Sequence, residues 1–179
     1  MKKTKNKMNK IGNILILMLL VLSCKTQQKV SSLKEKSVIK TEINALLNDW
    51  HLAASEANFD NYFNKMDSVS VFIGTDATEN WTKEQFVNFS KPYFDQGKAG
   101  DFKTLERNVY LNKVGDFAWF DELLDTWMGT CRGSGVLEKA GNTWKIKQYV
   151  LSVSIPNDDV QKVIEAKKKN DSIFKKKFN

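Results

Sequence analysis

From Thr41 onward, apolar residues recur at three- and four-residue intervals: Ile43, Leu46, Leu47, Trp50, Ala53, Ala54 and Ala57. That period places them on one face of a helix. Asn58 interrupts it, and Phe59, Tyr62, Phe63 and Met66 resume it on a second short helix. Ser68–Gly74 (SVSVFIG) alternates and is β-branched, which predicts a strand; Gly74–Asn80 reads as a turn. Thr82-Lys83-Glu84-Gln85 fits a capping box, with Phe86, Phe89, Tyr93 and Phe94 following on one side of a third helix. Pro92 kinks its last turn, and Gly97 or Gly100 ends it.

After Asp101 the period shortens to two. Phe102–Asn112, Asp116–Met128, Arg132–Lys139 and Thr143–Ile155 predict four strands joined at Gly115, Gly129 and Gly141-Asn142. Helices followed by a run of strands predict an α+β fold with helices packed on one antiparallel sheet. Residues 158–179 either extend a helix opening at Asn157 or run out as a basic tail, a segment able to touch anionic headgroups.

Charge divides the chain. The net charge is +7, but ten lysines lie in residues 1–40 and seven in 162–179. Eleven basic residues then face eighteen acids in 41–161, so the compact part is acidic. A nucleic-acid surface needs cations to displace phosphate counterions, so no nucleic-acid partner is expected. The first lysines belong to a positive segment, MKKTKNKMNK, ahead of an apolar run, IGNILILMLLVL. That run is shorter than the roughly 20 residues of a membrane span and reads as a secretory signal over 1–23. Val21-Leu22-Ser23-Cys24 resembles a bacterial lipobox, so Cys24 is the expected lipidation site, with residues 24–40 as a polar tether. The expectation is a lipid-anchored domain in the bacterial cell envelope, facing the periplasm. Lipidation leaves Cys131 without a disulfide partner and reads it as a packing residue.

Several chemistries find no support. One histidine and no Cys/His cluster predict no metal site. GTDATENW lacks the lysine and spacing of a phosphate loop, and RGSG lacks the frame of a nucleophile elbow. No cofactor is expected.

A set of short segments, in this order and spacing, resembles the SnoaL-like branch of the nuclear transport factor 2-like superfamily over residues 41–157. They are WHLAA at 50–54 with FDNYF at 59–63, VFIGTDATE at 71–79, WTKE at 81–84 with KPYF at 91–94, and AWFD at 118–121. CRGSGVL at 131–137 and WKIKQY at 144–149 with Leu151-Ser152 complete the set. The resemblance implies a cone-shaped fold, a curved antiparallel sheet wrapped around helices with a pocket at its open end. It implies no single function, because the superfamily includes isomerases, dehydratases, cyclases, hydrolases and non-catalytic binding domains. Many relatives carry a histidine two residues before the last-strand serine; Val150 stands there in this chain.

The stretch GDFAWFDELLDTW holds three acids among aromatic and aliphatic residues. Alternation puts Asp121 and Asp125 on one face and Glu122 on the other. Pairing Asp125 with Arg132, and Val136 with Ile146 across a three-residue loop, groups Trp119, Asp121, Arg132, Ser134, Gln148, Val150 and Ser152 on one face. Lys145 and Lys147 then fall on the opposite face with Phe120, Glu122, Leu124, Tyr149 and Leu151. Because lysines belong outside, the Asp121 face is expected to point inward; a one-residue slip reverses this and brings Glu122 in. The expected site comprises Asp121 as acid or base, His51 as its partner, and Trp50, Phe72, Trp81, Trp119, Arg132, Gln148 and Ser152 as pocket walls.

Three readings follow: a domain binding a small, partly apolar molecule; a cofactor-independent isomerase, cyclase or dehydratase using Asp121 with or without His51; or a homodimeric module pairing through Phe120, Leu124, Tyr149 and Leu151.

Overall fold

The computed structural model describes residues 34–178. The expected signal peptide, Cys24 and most of the tether lie outside the described residues. Helix α1 spans residues 34–55, so it begins within the stretch expected to be tether. Ile39 adds one more turn to the apolar stripe of Ile43, Leu47, Trp50 and Ala54, all buried. The helix closes in a Schellman motif. Ala57 takes a positive φ of 52°, and Asn58 N–H donates to Ala53 O at 2.8 Å and Ala57 N–H to Ala54 O at 3.1 Å.

Helix α2 (Phe59–Asn64) is capped by Asn58, whose side chain accepts from Asn61 N–H. Strand β1 (Met66–Ile73) and the short β2 (Asn80–Thr82) form a hairpin, and Thr82 caps helix α3 (Lys83–Asp95). Both arms of the expected capping box are present: Thr82 Oγ1 accepts from Gln85 N–H, and Gln85 Oε1 accepts from Thr82 N–H. Four long strands follow: β3 (Phe102–Leu111), β4 (Phe117–Thr126), β5 (Gly129–Ala140) and β6 (Thr143–Val153). A 3₁₀ turn at Asn157–Asp159 leads into the largely exposed helix α4 (Val160–Lys175).

The six strands form one curved sheet in the order β2-β1-β6-β5-β4-β3. The expectation of an antiparallel sheet needs one correction: β1 runs parallel to β6, so the sheet is mixed. The chain reaches β6 only after building β3–β5 outward, and β1 fills the remaining edge of β6 in the same direction. Helices α1–α3 cover one face of the sheet, and the core lies between them. Among the described residues, no helix is long and apolar enough to cross a membrane.

Candidate functional site

Register decides which acid enters the core. Strands β4 and β5 pair Asp121 with Ser134 and Glu122 with Gly133, closing at Thr126 opposite Gly129. Strands β5 and β6 pair Gly133 with Leu151 and Val136 with Gln148, then shift so that Leu137 faces Ile146. This shift is a β-bulge at Lys147, which inserts one residue and exchanges the faces of β6. Trp144 and Ile146 point inward before it, and Tyr149 and Leu151 point inward after it; all four are buried.

The bulge overturns the expected face. Strict alternation had set Lys145 and Lys147 on the side of Tyr149, which made that side the outer one. The structure places both lysines outside, where Lys147 meets Asp67 at 3.2 Å and Glu138 at 3.5 Å, while Tyr149 lies inside. Asp121 is therefore on the outer face, its side chain 35% exposed and 3.6 Å from Arg132. Trp119, Arg132, Gln148 and Ser152, expected as pocket walls, share that exposed face. Phe120, Leu124, Tyr149 and Leu151, expected as an outer pairing surface, are core residues. Asp125 sits opposite Thr130 rather than Arg132.

Glu122 is the inward acid, 1% exposed. Three donors converge on it. His51 Nε2 lies 2.8 Å from Oε1, Tyr149 O–H donates to Oε1 at 2.9 Å, and Arg107 Nε donates to Oε2 at 2.8 Å. Arg107 is held in turn by Asn48 Oδ1 at 2.7 Å, Thr104 Oγ1 at 3.0 Å and Asn44 O at 3.3 Å. Gly133 on β5 makes room for this cluster. A Cβ at Gly133 would fall on the Tyr149 hydroxyl and lie 3.0 Å from Glu122 Cγ.

The electrostatics follow from these contacts. Burial pushes the Glu122 carboxyl up, but the hydrogen bonds and charges of His51 and Arg107 outweigh it and hold the group below the ordinary carboxylate range. Burial, reinforced by the Glu122 charge, pushes the Tyr149 phenol well up, so it stays a neutral donor. An ionised carboxylate with three donors is a weak proton acceptor; it fixes His51 in place. A neutral His51 ring donates from Nε2 and offers Nδ1 as an acceptor, and a protonated ring donates from both.

His51 also faces a space. An aromatic-walled cavity of about 150 Å³ lies between helices α2 and α3 and the β1 end of the sheet. Tyr62, Phe72, Phe102 and Leu151 line both this cavity and a recess of about 10 Å³, whose remaining lining is Trp50, His51 and Tyr149. That recess has room for about one water. The Trp50 indole N–H, buried, has no hydrogen-bond partner among the described residues. The structure thus brings together four expected site residues, His51, Trp50, Phe72 and Trp81, and replaces Asp121 by Glu122.

Arg107 and Tyr149 were not expected at the site. The sequence signal for Glu122 lay in β6: Trp144 and Ile146 share one parity, Tyr149 and Leu151 the other, and only a bulge buries both pairs. Arg107 follows a second irregularity, between Thr104 and Glu106 of β3, and carries no such signal.

The model of the SnoaL-like domain family matches residues 43–156. Among solved structures, the chain is similar to an NTF2-like protein of unknown function from Pseudomonas putida KT2440. The two share 14% identity over 68% of this chain and 91% of that one, with a TM-score of 0.57. It is also similar to a cystatin-like-fold domain of unknown function from Nostoc punctiforme, at 13% identity, 79% and 98% coverage and a TM-score of 0.57. A third similar structure is a ketosteroid isomerase-like protein from Parabacteroides distasonis, at 16% identity, 64% and 86% coverage and a TM-score of 0.52. At these identities the likeness shows an NTF2-like fold and nothing of substrate. No curated protein matches the chain.

Proposed function

The chain belongs to the SnoaL-like domain family, and from that premise we propose that it binds a small, largely apolar molecule in the aromatic cavity, with His51 meeting the molecule's polar end. One observation carries this reading: the cavity shares four wall residues with a recess walled by an imidazole that a buried carboxylate holds in place. A cavity of about 150 Å³ matches a body the size of one ring. Glu122 has no oxygen free of a donor, so its part is to orient His51 rather than to react.

The His51–Glu122 pair also favours a second reading, in which the imidazole moves a proton on the bound molecule. Turnover of a bound compound, lost in His51→Phe, would distinguish this from simple binding.

The test is a thermal-shift screen of the purified protein against single-ring and similarly sized metabolites. At about 100-fold excess over Kd, a ligand adds about 2.7 kcal/mol. For a domain of this size that raises Tm by about 5–11 °C. The shift is expected to shrink in His51→Phe and Trp81→Ala and to persist in Asp121→Asn. Hits indifferent to both cavity substitutions would place binding elsewhere and defeat the reading.

The same proposal includes anchoring through Cys24, supported by the positive, apolar and Ser-Cys succession of residues 1–24. Cys24→Ser is expected to move the protein from the membrane fraction to the soluble fraction of cells. An unchanged distribution would count against the anchor.

A further inference from the structure

We propose that helix α4 lies on an anionic lipid surface, its lysines at the headgroups and its exposed apolar side chains in the interface. The proposal rests on the anchor at Cys24 for access to a membrane and is independent of the cavity.

The helix is long and almost uncovered. None of the 16 residues of α4 is buried. It meets the rest of the domain near its C-terminal end, where Ile173, Phe174 and the following Lys177 approach the Asp76–Thr78 turn. Val160, Ile164 and Ile173 leave 39%, 47% and 56% of their surface in water, and Phe178 just beyond leaves 76%. A helix of this length is marginal in water on its own. Its exposed ion pairs, Lys162–Asp159, Lys167–Asp171 and Lys168–Glu165, add little. A surface that covers the apolar side chains supplies the missing support.

Charge selects that surface. Residues 162–179 hold seven lysines against Glu165 and Asp171, whereas residues 41–161 carry seven more acids than bases. An anionic surface therefore repels the body of the domain and attracts this segment. Lys169 and Lys175 have no carboxylate partner among the described residues. The basic residues of the segment are all lysine, with no arginine. Lysine is depleted at protein–protein contacts, where arginine and aromatic residues gather. At lipid surfaces it is favoured, because its stem lies along apolar groups while its ammonium reaches the headgroups. This separates a bilayer from the acidic body of a second copy as the occupant.

The length of chain ahead of α1 gives the reach. Cys24 lies ten residues before Lys34, the first described residue of α1, a span of at most about 35 Å. Helix α1, residues 34–55, is about 33 Å long. A bilayer that holds Cys24 is thus within reach of either end of α1. A lipid chain and a basic segment together are the two signals that stable attachment takes.

The experiment measures co-sedimentation of the full protein with phosphatidylcholine vesicles, with and without one-third phosphatidylglycerol. An acyl chain at Cys24 enters both kinds alike, and the N-terminal lysines are common to every variant. The change in preference for the acidic vesicles on substitution therefore reads α4. One lysine at an anionic surface is worth roughly 5-fold in affinity. Lys167→Gln, Lys168→Gln and Lys169→Gln together are expected to cut the preference by about 100-fold at low salt. Ile164→Asp is expected to weaken binding to the acidic vesicles by about 10-fold or more. All four positions are exposed, so melting temperatures without vesicles are expected to stay within about 2 °C, which separates lost binding from lost folding. Equal binding to the two vesicle types overturns the proposal, as does a preference that survives the triple substitution. A dimer that the triple substitution dissociates without vesicles also overturns it, because a second copy then covers α4. An α4-dependent preference in a protein whose Cys24→Ser variant keeps its cellular distribution upholds the contact and removes the anchor alone.

Discussion

Glu122→Ala is expected to cost about 3–5 kcal/mol, the range for removing one member of a buried ion pair. The loss comes from what stays behind. Arg107, its side chain only 4% exposed, keeps its charge without a counter-ion, and the Tyr149 hydroxyl and His51 Nε2 lose their acceptor. For a domain of this size the penalty lowers Tm by about 6–20 °C. Domains of this kind have about 5–15 kcal/mol to lose, so the loss takes a third or more of the stability at the middle of that range and nearly all of it at the bottom. Asp121→Asn supplies the contrast. Its partner Arg132 is half exposed at 3.6 Å, and surface pairs contribute about 0–1 kcal/mol. Chemical denaturation of the two variants therefore reads the strand face directly, and a larger loss at Asp121 than at Glu122 would reverse the assignment.

The same carboxylate shapes the acid limb of stability. Burial raises the Glu122 pKa and the His51 and Arg107 contacts lower it by more, for a net depression in the folded state. Such a group stabilises fully above its unfolded value, about 4.3, and the contribution disappears as pH falls through the lower folded value. Denaturation midpoints are expected to hold down to about pH 5 and then to fall. Glu122→Gln starts about 1.5–3 kcal/mol lower, because an amide presents N–H groups to a set of donors. It should show a shallower acid limb. Parallel acid limbs would mean that Glu122 does not titrate with folding.

The elements were legible because each carries its own period: the α1 stripe, the Thr82 capping box and the alternation of β3–β6 are local signals. The site was legible only in part. His51 and Trp50 follow from the α1 stripe and Phe72 from the alternation of β1, whereas Trp81 was expected only as an aromatic beside the Thr82 cap and the short strand β2 was not foreseen. The choice between Asp121 and Glu122 depends on parity carried through two hairpins, and a bulge at Lys147 inverts it. Apolar burial on both sides of the bulge outweighs strict alternation, since flat pairing would put Tyr149 and Leu151, or Trp144 and Ile146, into water. The parallel β1–β6 edge was hidden for a different reason. No local pattern states which edge of a sheet an early strand will fill, and only the assembled topology does.

Gly133 connects that register to the site, and Gly133→Ala is the second substitution with a large expected effect. Its position opposite Glu122 on β4 and Leu151 on β6 puts it on the inner face beneath Tyr149. An added methyl would overlap the Tyr149 hydroxyl and lie 2.9 Å from its ring carbon Cζ. Tyr149 has little freedom to yield. Its ring packs edge-on against Trp50 at 4.8 Å, and its hydroxyl donates to Glu122 at 2.9 Å. Overpacking of this kind costs about 1–3 kcal/mol. Displacing the hydroxyl from a charged acceptor costs about 1.5–3 kcal/mol more. The sum is expected to lower Tm by about 5–24 °C at the size of this domain. Combining Gly133→Ala with Tyr149→Phe separates the two causes. Phenylalanine removes the overlapping oxygen, so the pair should be less destabilised than the added single variants if the hydroxyl is what the methyl strikes. Simple additivity would place the clash elsewhere, and with it the claim that a glycine in β5 makes room for the Tyr149–Glu122 bond.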